Sequence, residues 1–300
     1  MTNNNTKMKI TSAFMLVLTA MIWGFAFVAQ RVGAESVSAF YFNGLRFALG
    51  AVSLIPVILI FEKEKFDKAK FKITLWAGVI GGIVLFIAAA LQQFGIEITQ
   101  SAGKAGFITG LYTVLVPIIS FIVYKKKNSI GVWIGAILAV IGLFLLSVSE
   151  SFSIGLGDLV LFIGAIFWAI HILVVDRFIA RISPLKFAMI QFLVCASLNL
   201  IFAAFFESIT LEAVKTALVP LLYGGLASVG VAYTLQIIAQ KYSDPTFAAI
   251  VFSLESVFSA IGGALILSEK MSNRGYIGCV LIFGGIIISQ LKFGKKKEVL

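Results

Sequence analysis

ITLWAGVIGGIVLFIAAALQQF, residues 73–94, runs for twenty-two residues without a charged side chain. Wound as an α-helix it would extend about 33 Å, enough to cross the roughly 30 Å hydrocarbon core of a bilayer. The segment just before it, EKEKFDKAKFK (62–72), holds five lysines. The chain therefore passes from a water-facing to a lipid-facing composition within a residue or two.

The same test picks out nine more stretches, at 10–30, 38–61, 101–123, 130–148, 156–176, 185–206, 217–240, 244–267 and 275–292. Ten transmembrane helices in an all-α integral membrane protein are the expectation. Composition agrees. Sixty per cent of the residues are apolar and 13% charged, with a mean hydropathy of +1.04. Soluble domains carry about 25% charged residues, so this chain has too few to coat a water-facing exterior. Lys7 and Lys9 precede the first apolar run as in a signal peptide, but the run is long and lacks an A-x-A site, so it reads as a retained span.

Several chemistries fall away early. Cys195 and Cys279 both sit in apolar runs, which does not suggest a disulfide framework. A single histidine, His171, leaves little for a metal site, and no cofactor motif is present; Gly103-Lys104 lacks the rest of a phosphate-binding loop. The formal charge of +10 is explained by its distribution. With both termini cytoplasmic, eighteen Lys/Arg fall inside and four outside (Arg31, Lys215, Lys270 and Arg274), while Arg46 and Lys104 lie within spans. The positive-inside rule selects this orientation, in the cell membrane, with attraction to anionic lipid as a by-product and no call for nucleic acid.

The chain also repeats itself. An offset of 145 places Trp23 on Trp168, Ser38 on Ser183, Phe42 on Phe187 and Phe47 on Phe192. From residue 81 an offset of 143 places Gly81-Gly82 on Gly224-Gly225, Gln93 on Gln236, and Gly135 and Gly142 on Gly278 and Gly285. The halves are 10–148 and 156–292. Five spans per half is odd, so the second half must enter from the opposite side. The loop charges agree: the counterpart of the lysine-rich 62–72 is ESITLEAVKT (207–216), with one lysine and two glutamates. Inverted repeats are a common construction of secondary transporters, with the site at the repeat interface.

Two stretches carry a resemblance. LESVFSAIGGALILSEKMSNRGYIGCVLIFGGI (254–286) resembles the end of the EamA-type domain of the drug/metabolite transporter superfamily, and SAGKAGFITGLYTVLVPIISFIV (101–123) the matching region of a first-half copy. Trp23 and Trp168, near the end of the first span of each half, fit as well. One departure is visible: the acidic residue after the fourth span is kept as Glu269, where the first half has Lys125-Lys126-Lys127. The resemblance implies ten spans, both termini inside, a central cavity between helices 1–4 and 6–9, and peripheral helices 5 and 10. It implies transport of amino acids, other metabolites or toxic compounds, often outward. Spans 130–148 and 275–292, with no charged side chain in their interiors, match the peripheral role.

Ionisable groups inside a span are costly and by default functional. Glu255, midway along its span between Ser253, Ser256 and Ser259, reads as a proton-linked carboxylate, as a contact for a cationic group, or as a structural partner of Arg46 or of neighbouring hydroxyls. Arg46, one turn beyond Asn43, offers a fork for a substrate carboxylate, with a structural bond as the alternative. Lys104 lies nearer a span end and can snorkel. His171 follows Trp168 by about one turn and reads as a proton switch or a packed ring. Trp23 and Trp168 can line a cavity or fill a core. Gln92, Gln93 and Gln236 need partners within the membrane. Tyr112 occupies the position equivalent to Glu255. Gly106-x-x-x-Gly110 and Ala260-x-x-x-Ala264 form small-residue ridges, and Pro117 can act as a hinge.

The reading is a secondary-active transporter, exporting a small organic metabolite by alternating access. A cavity with Arg46, Lys104 and Glu255 favours an amino-acid-like zwitterion, and a coupling proton would use Glu255. A passive channel or structural membrane protein is the alternative. A lipid-modifying enzyme would need a cluster of acidic or histidine residues that the spans do not offer.

Overall fold

The structure, a computed structural model, describes residues 2–62, 67–147, 154–266 and 272–291. Glu269, Lys270, and the lysines at 63, 65, 292 and 295–297 that entered the charge pattern lie outside the described residues. Among the described residues there is no strand. The principal helices are α1 (Thr2–Gly33), α2 (Ala39–Phe61), α3 (Lys68–Thr99), α4 (Ala102–Tyr124), α5 (Ile130–Ser147), α6 (Leu156–Phe178), α7 (Pro184–Phe206), α8 (Leu218–Gln240), α9 (Pro245–Ile266) and α10 (Asn273–Gln290). A short helix, Leu211–Thr216, leads into α8.

Eight of these, α1–α4 and α6–α9, are long and apolar enough to cross a membrane, by length and composition. Ile130–Leu146 is a shorter apolar helix. The expected spans at 130–148 and 275–292 are helical, and α5 and α10 pack chiefly on each other. Gly135 and Gly142 permit this: a Cβ on either would stand 2.5 Å from the carbonyl oxygen of Gly285 or Gly278 respectively. The outward faces of the helices carry large apolar side chains such as Leu59, Phe61, Phe205 and Val280. In a water-soluble protein such a surface would be an aggregation hazard; against lipid it costs nothing.

Helix ends follow local chemistry. Ser101 and Asp244 cap α4 and α9 by accepting hydrogen bonds from the amides of Lys104 (3.1 Å) and Thr246 (2.9 Å). Glu207, from the far half of the chain, accepts from the amides of Phe40 and Tyr41 and so caps α2. Lys125, in the left-handed region at φ 54°, ends α4.

The contacts between helices recur at the sequence offsets. The Thr113 hydroxyl donates to the carbonyl of Ala249 at 3.1 Å, and the Ser256 hydroxyl to that of Gly106 at 3.1 Å; each participant is the other's counterpart by 143. A Cβ on Gly82 would meet Val194 and the Gln191 carbonyl, while one on Gly225 would meet Leu49 and the Arg46 carbonyl. These too are counterparts, by 143 and 145.

Two pairs of helices, α3 with α6 and α1 with α8, lie with the start of one beside the end of the other. α6 starts where α3 ends, since a Cβ on Gly157 would lie 3.0 Å from Ile98. α8 ends where α1 starts, since the Ser12 hydroxyl donates to the Ala239 carbonyl at 2.8 Å.

Two helices are broken at matching places. α4 is interrupted at Leu111, whose amide bonds back to Ile108, and α9 at Ser253, whose amide bonds back to Ile250, both at 3.2 Å. In α8, Tyr223–Tyr233 is wound as a π-helix, a form concentrated at functional sites. The expected hinge at Pro117 lies inside the second part of α4, six residues after the break. The Ala260/Ala264 ridge is not a close contact, for Ala264 is exposed; α1 and α9 approach most tightly at Gly24, where a Cβ would be 2.5 Å from the Glu255 carbonyl.

Candidate functional site

Tyr112 follows the break in α4 by one residue and Glu255 that in α9 by two, and the Tyr112 hydroxyl donates to Glu255 Oε1 at 2.9 Å. Arg46 enters from α2. Its Nε donates to Asn43 Oδ1 at 2.9 Å, and Asn43 Nδ2 in turn donates to the Ala89 carbonyl of α3 at 3.0 Å. The guanidinium lies over the Phe47 ring, 4.9 Å from its centroid. A side chain at Gly224 would press on the Arg46 stem, with a Cβ only 3.3 Å from Arg46 Cδ.

Arg46 and Glu255 line one cavity, with Trp23, Trp168, Tyr233 and Gln236 among its walls. Both are buried, yet no ion pair joins them, nor Arg46 to any other carboxylate among the described residues. Arg46 Nη2 is buried without a hydrogen-bond partner. The alternative that these two residues form a structural pair is therefore not what the structure contains.

The aromatic walls are mutually supported. Trp23 lies against Tyr233 at 4.7 Å and Phe252 at 5.1 Å between centroids, and Trp168 stacks on Tyr233 at 6.1 Å. The cavity is about 30 Å³, room for a water or two rather than a metabolite.

The other expected residues are placed as follows. Asn43 stands behind Arg46 and orients it. Gln236 and Gln92 are on the wall, while Gln93 turns away and donates to the Gln30 carbonyl at 3.2 Å. Lys104 is off the cavity and pairs with Asp158 at 2.8 Å. His171 is behind Trp168 and shares a 3.0 Å hydrogen bond with Gln191, the counterpart of Arg46. Gln30, Thr109, Ser228 and Tyr233 were not singled out from the sequence. Gln30, an amide at the end of an apolar run, carried the same signal as Gln92; nothing separated Tyr233 from a packing aromatic.

Arg46 with a free Nη2, the Glu255 carboxyl and a π-rich wall thus face one small box. Comparison with known proteins shows the family. The sequence profile of the EamA-like transporter family matches residues 10–148 and again 155–291. The chain belongs to the EamA-like transporter family. It is 32% identical over 280 residues to an uncharacterized transporter of Archaeoglobus fulgidus, an alignment covering 92% of this chain and 85% of the relative. It is 23% identical over 288 residues to the uncharacterized transporter YoaV of Bacillus subtilis, covering 94% and 97%. The fold of this EamA-family chain is shared with a solved crystal structure at a TM-score of 0.77 and 19% identity, over 93% of this chain and 96% of that one. It is a multi-pass membrane protein of a transporter family.

Proposed function

We propose that the chain is a secondary-active transporter that exports a small amino-acid-like zwitterion by alternating access. The observation that carries this is the separation of Arg46 from Glu255 within one cavity: two buried, oppositely charged side chains left unpaired with each other. Burying an unpaired charge is costly in a membrane protein. A substrate carboxylate on the Arg46 fork and a substrate ammonium at Glu255 would offset that cost, with the apolar part of the substrate against Trp23, Trp168 and Tyr233.

Ten spans in two inverted five-helix repeats, 10–148 and 156–292, form the frame of this reading. It is supported by contacts that recur at the offsets of 143 and 145, and by the opposite senses of α1/α3 and α6/α8. Two pseudo-equivalent halves can exchange conformations, which turns access from one side of the membrane to the other. The small cavity fits a conformation in which neither mouth is open. The charge pattern of the loops supports a cytoplasmic side for both termini. Glu255 is the group we assign to a coupling proton.

Counterflow into proteoliposomes tests the reading. Vesicles preloaded with each of a panel of zwitterionic amino acids, organic acids and amines are given a labelled trace of the same compound outside. A transporter of this kind shows trans-stimulation with zwitterions that exceeds that with either single-charge class. Equal fluxes with and without preloading would point to a pore and overturn it.

A further inference from the structure

We propose that two glutamine clasps close the cavity, one at each end, and that they part in turn during the transport cycle. The inference rests on the alternating-access reading and adds the residues that gate it. At one end, Gln92 Nε2 of α3 donates to Gln30 Oε1 of α1 at 3.1 Å, and the neighbouring Gln93 Nε2 donates to the Gln30 carbonyl at 3.2 Å. At the other, Gln236 Nε2 donates to Gln240 Oε1 at 2.9 Å, and Gln240 Nε2 crosses from α8 to the Ile172 carbonyl of α6 at 3.0 Å.

The clasps are counterparts. Gln93 and Gln236 correspond by the offset of 143, and α1/α3 stand to the first half as α6/α8 stand to the second. They lie at opposite ends because α6 begins beside the end of α3 and α8 ends beside the start of α1. Gln30, Gln92 and Gln236 also form cavity wall, so a substrate in the cavity touches the clasps directly. Gln240 reaches further, to a second pocket beside Lys9, Asp176 and Tyr242. The second clasp thus stands between the cavity and that end of the protein.

Each clasp holds an idle acceptor. Gln93 Oε1 and Gln236 Oε1 are buried without partners, at corresponding positions. An amide that donates with one end and leaves the other unsatisfied has an alternative arrangement within reach, since a donor brought by substrate or by a shifted helix would capture the oxygen. A clasp with both ends satisfied would resist opening. This one is balanced between two bonding patterns, and the central site can tip it.

Sided labelling tests the proposal without knowledge of the substrate. Thr109→Cys, a wall position, is placed in a Cys195→Ala/Cys279→Ala background and exposed to a membrane-impermeant maleimide from either face, in right-side-out and inside-out vesicles. Loss of a buried hydrogen bond should raise the open population, and hence labelling, by about fivefold. Gln92→Ala should do so from the face at the α3 end. Gln240→Ala should do so from the opposite face. Gln30→Ala removes the same Gln92 bond from its other side, keeping the backbone carbonyl that accepts from Gln93, and substitutes if Gln92→Ala does not fold. Increased labelling from the same face in both variants, or no change beyond about twofold in either, overturns the clasps. Sided labelling together with absent counterflow would leave the clasps standing and remove the transport reading, so the two fail separately.

Discussion

Tyr112 and Glu255 are equivalent residues of the two halves, and they bond to each other: the phenol donates to Glu255 Oε1 at 2.9 Å across an offset of 143. Counterparts that touch would lie close to any axis relating the two halves. The repeat has diverged at that point, a hydroxyl on one side and a carboxylate on the other. The divergence gives the cavity its acid. If Glu255 carries the coupling proton as well as facing the substrate ammonium, Glu255→Gln should raise the KM of counterflow yet keep exchange, which needs no net proton movement, and lose accumulation driven by a pH gradient. Retained gradient-driven accumulation would assign coupling elsewhere.

Arg46 depends on Asn43 for its orientation. Arg46→Gln should lower transport kcat/KM by about a hundredfold, the scale of a lost charge-assisted bidentate contact. Asn43→Ala, which leaves the guanidinium in place but unheld at Nε, should cost about tenfold, mostly in KM. A transport titration of the two variants reads both numbers, and equal losses would place Asn43 on the substrate itself.

Lys104 was a candidate for substrate contact, and the structure ties it to Asp158 instead, whose carboxylate also accepts from the Gly155 amide at 2.8 Å. Lys104→Met should leave substrate KM within about twofold. Asp158→Asn, which also weakens the start of α6, should lower thermal stability by about 1–3 kcal/mol. Thermal unfolding in detergent alongside uptake separates the effects.

The α5–α10 pair has no room for a methyl group at Gly142, where a Cβ would be 2.5 Å from the Gly278 carbonyl. Gly142→Ala should force the helices apart and cost about 1–3 kcal/mol. Gly103→Ala, with nothing within 4 Å, should be neutral or slightly stabilising. A comparison of the two melting temperatures checks the contrast, which vanishes if crowding is unimportant.

The helical membrane architecture was legible because lipid imposes one rule on every span, and runs such as 73–94 obey it along their whole length. The offset of 143 is carried in part by glycines at contacts, which cannot vary freely: a Cβ on Gly82 or Gly225 would press on a carbonyl of the facing helix. Site residues were harder. Arg46, Glu255, Tyr112, Trp23, Trp168 and Gln236 meet in one cavity, as single polar or aromatic groups in apolar helices suggest they should. Lys104 and His171 carried the same signal, yet their partners Asp158 and Gln191 come from other helices, and no local pattern announces a tertiary contact. The π-helical turns of α8 were invisible for a similar reason, since winding responds to the helices packed around it.

Arg46 is sheltered by material that the chain supplies late. The wall over its stem is Gly224, in α8, and the acid across its cavity is in α9. A ribosome feeding this chain into a membrane therefore delivers Arg46, held only by neighbours on its own helix such as Asn43 and Phe47, to the bilayer before the rest of its cover exists. Holding such a charge near the centre of a helix costs about 2.5–3.5 kcal/mol. The first half must wait in that state for the second, so biogenesis of this protein completes only when the later helices arrive to close over the earlier ones.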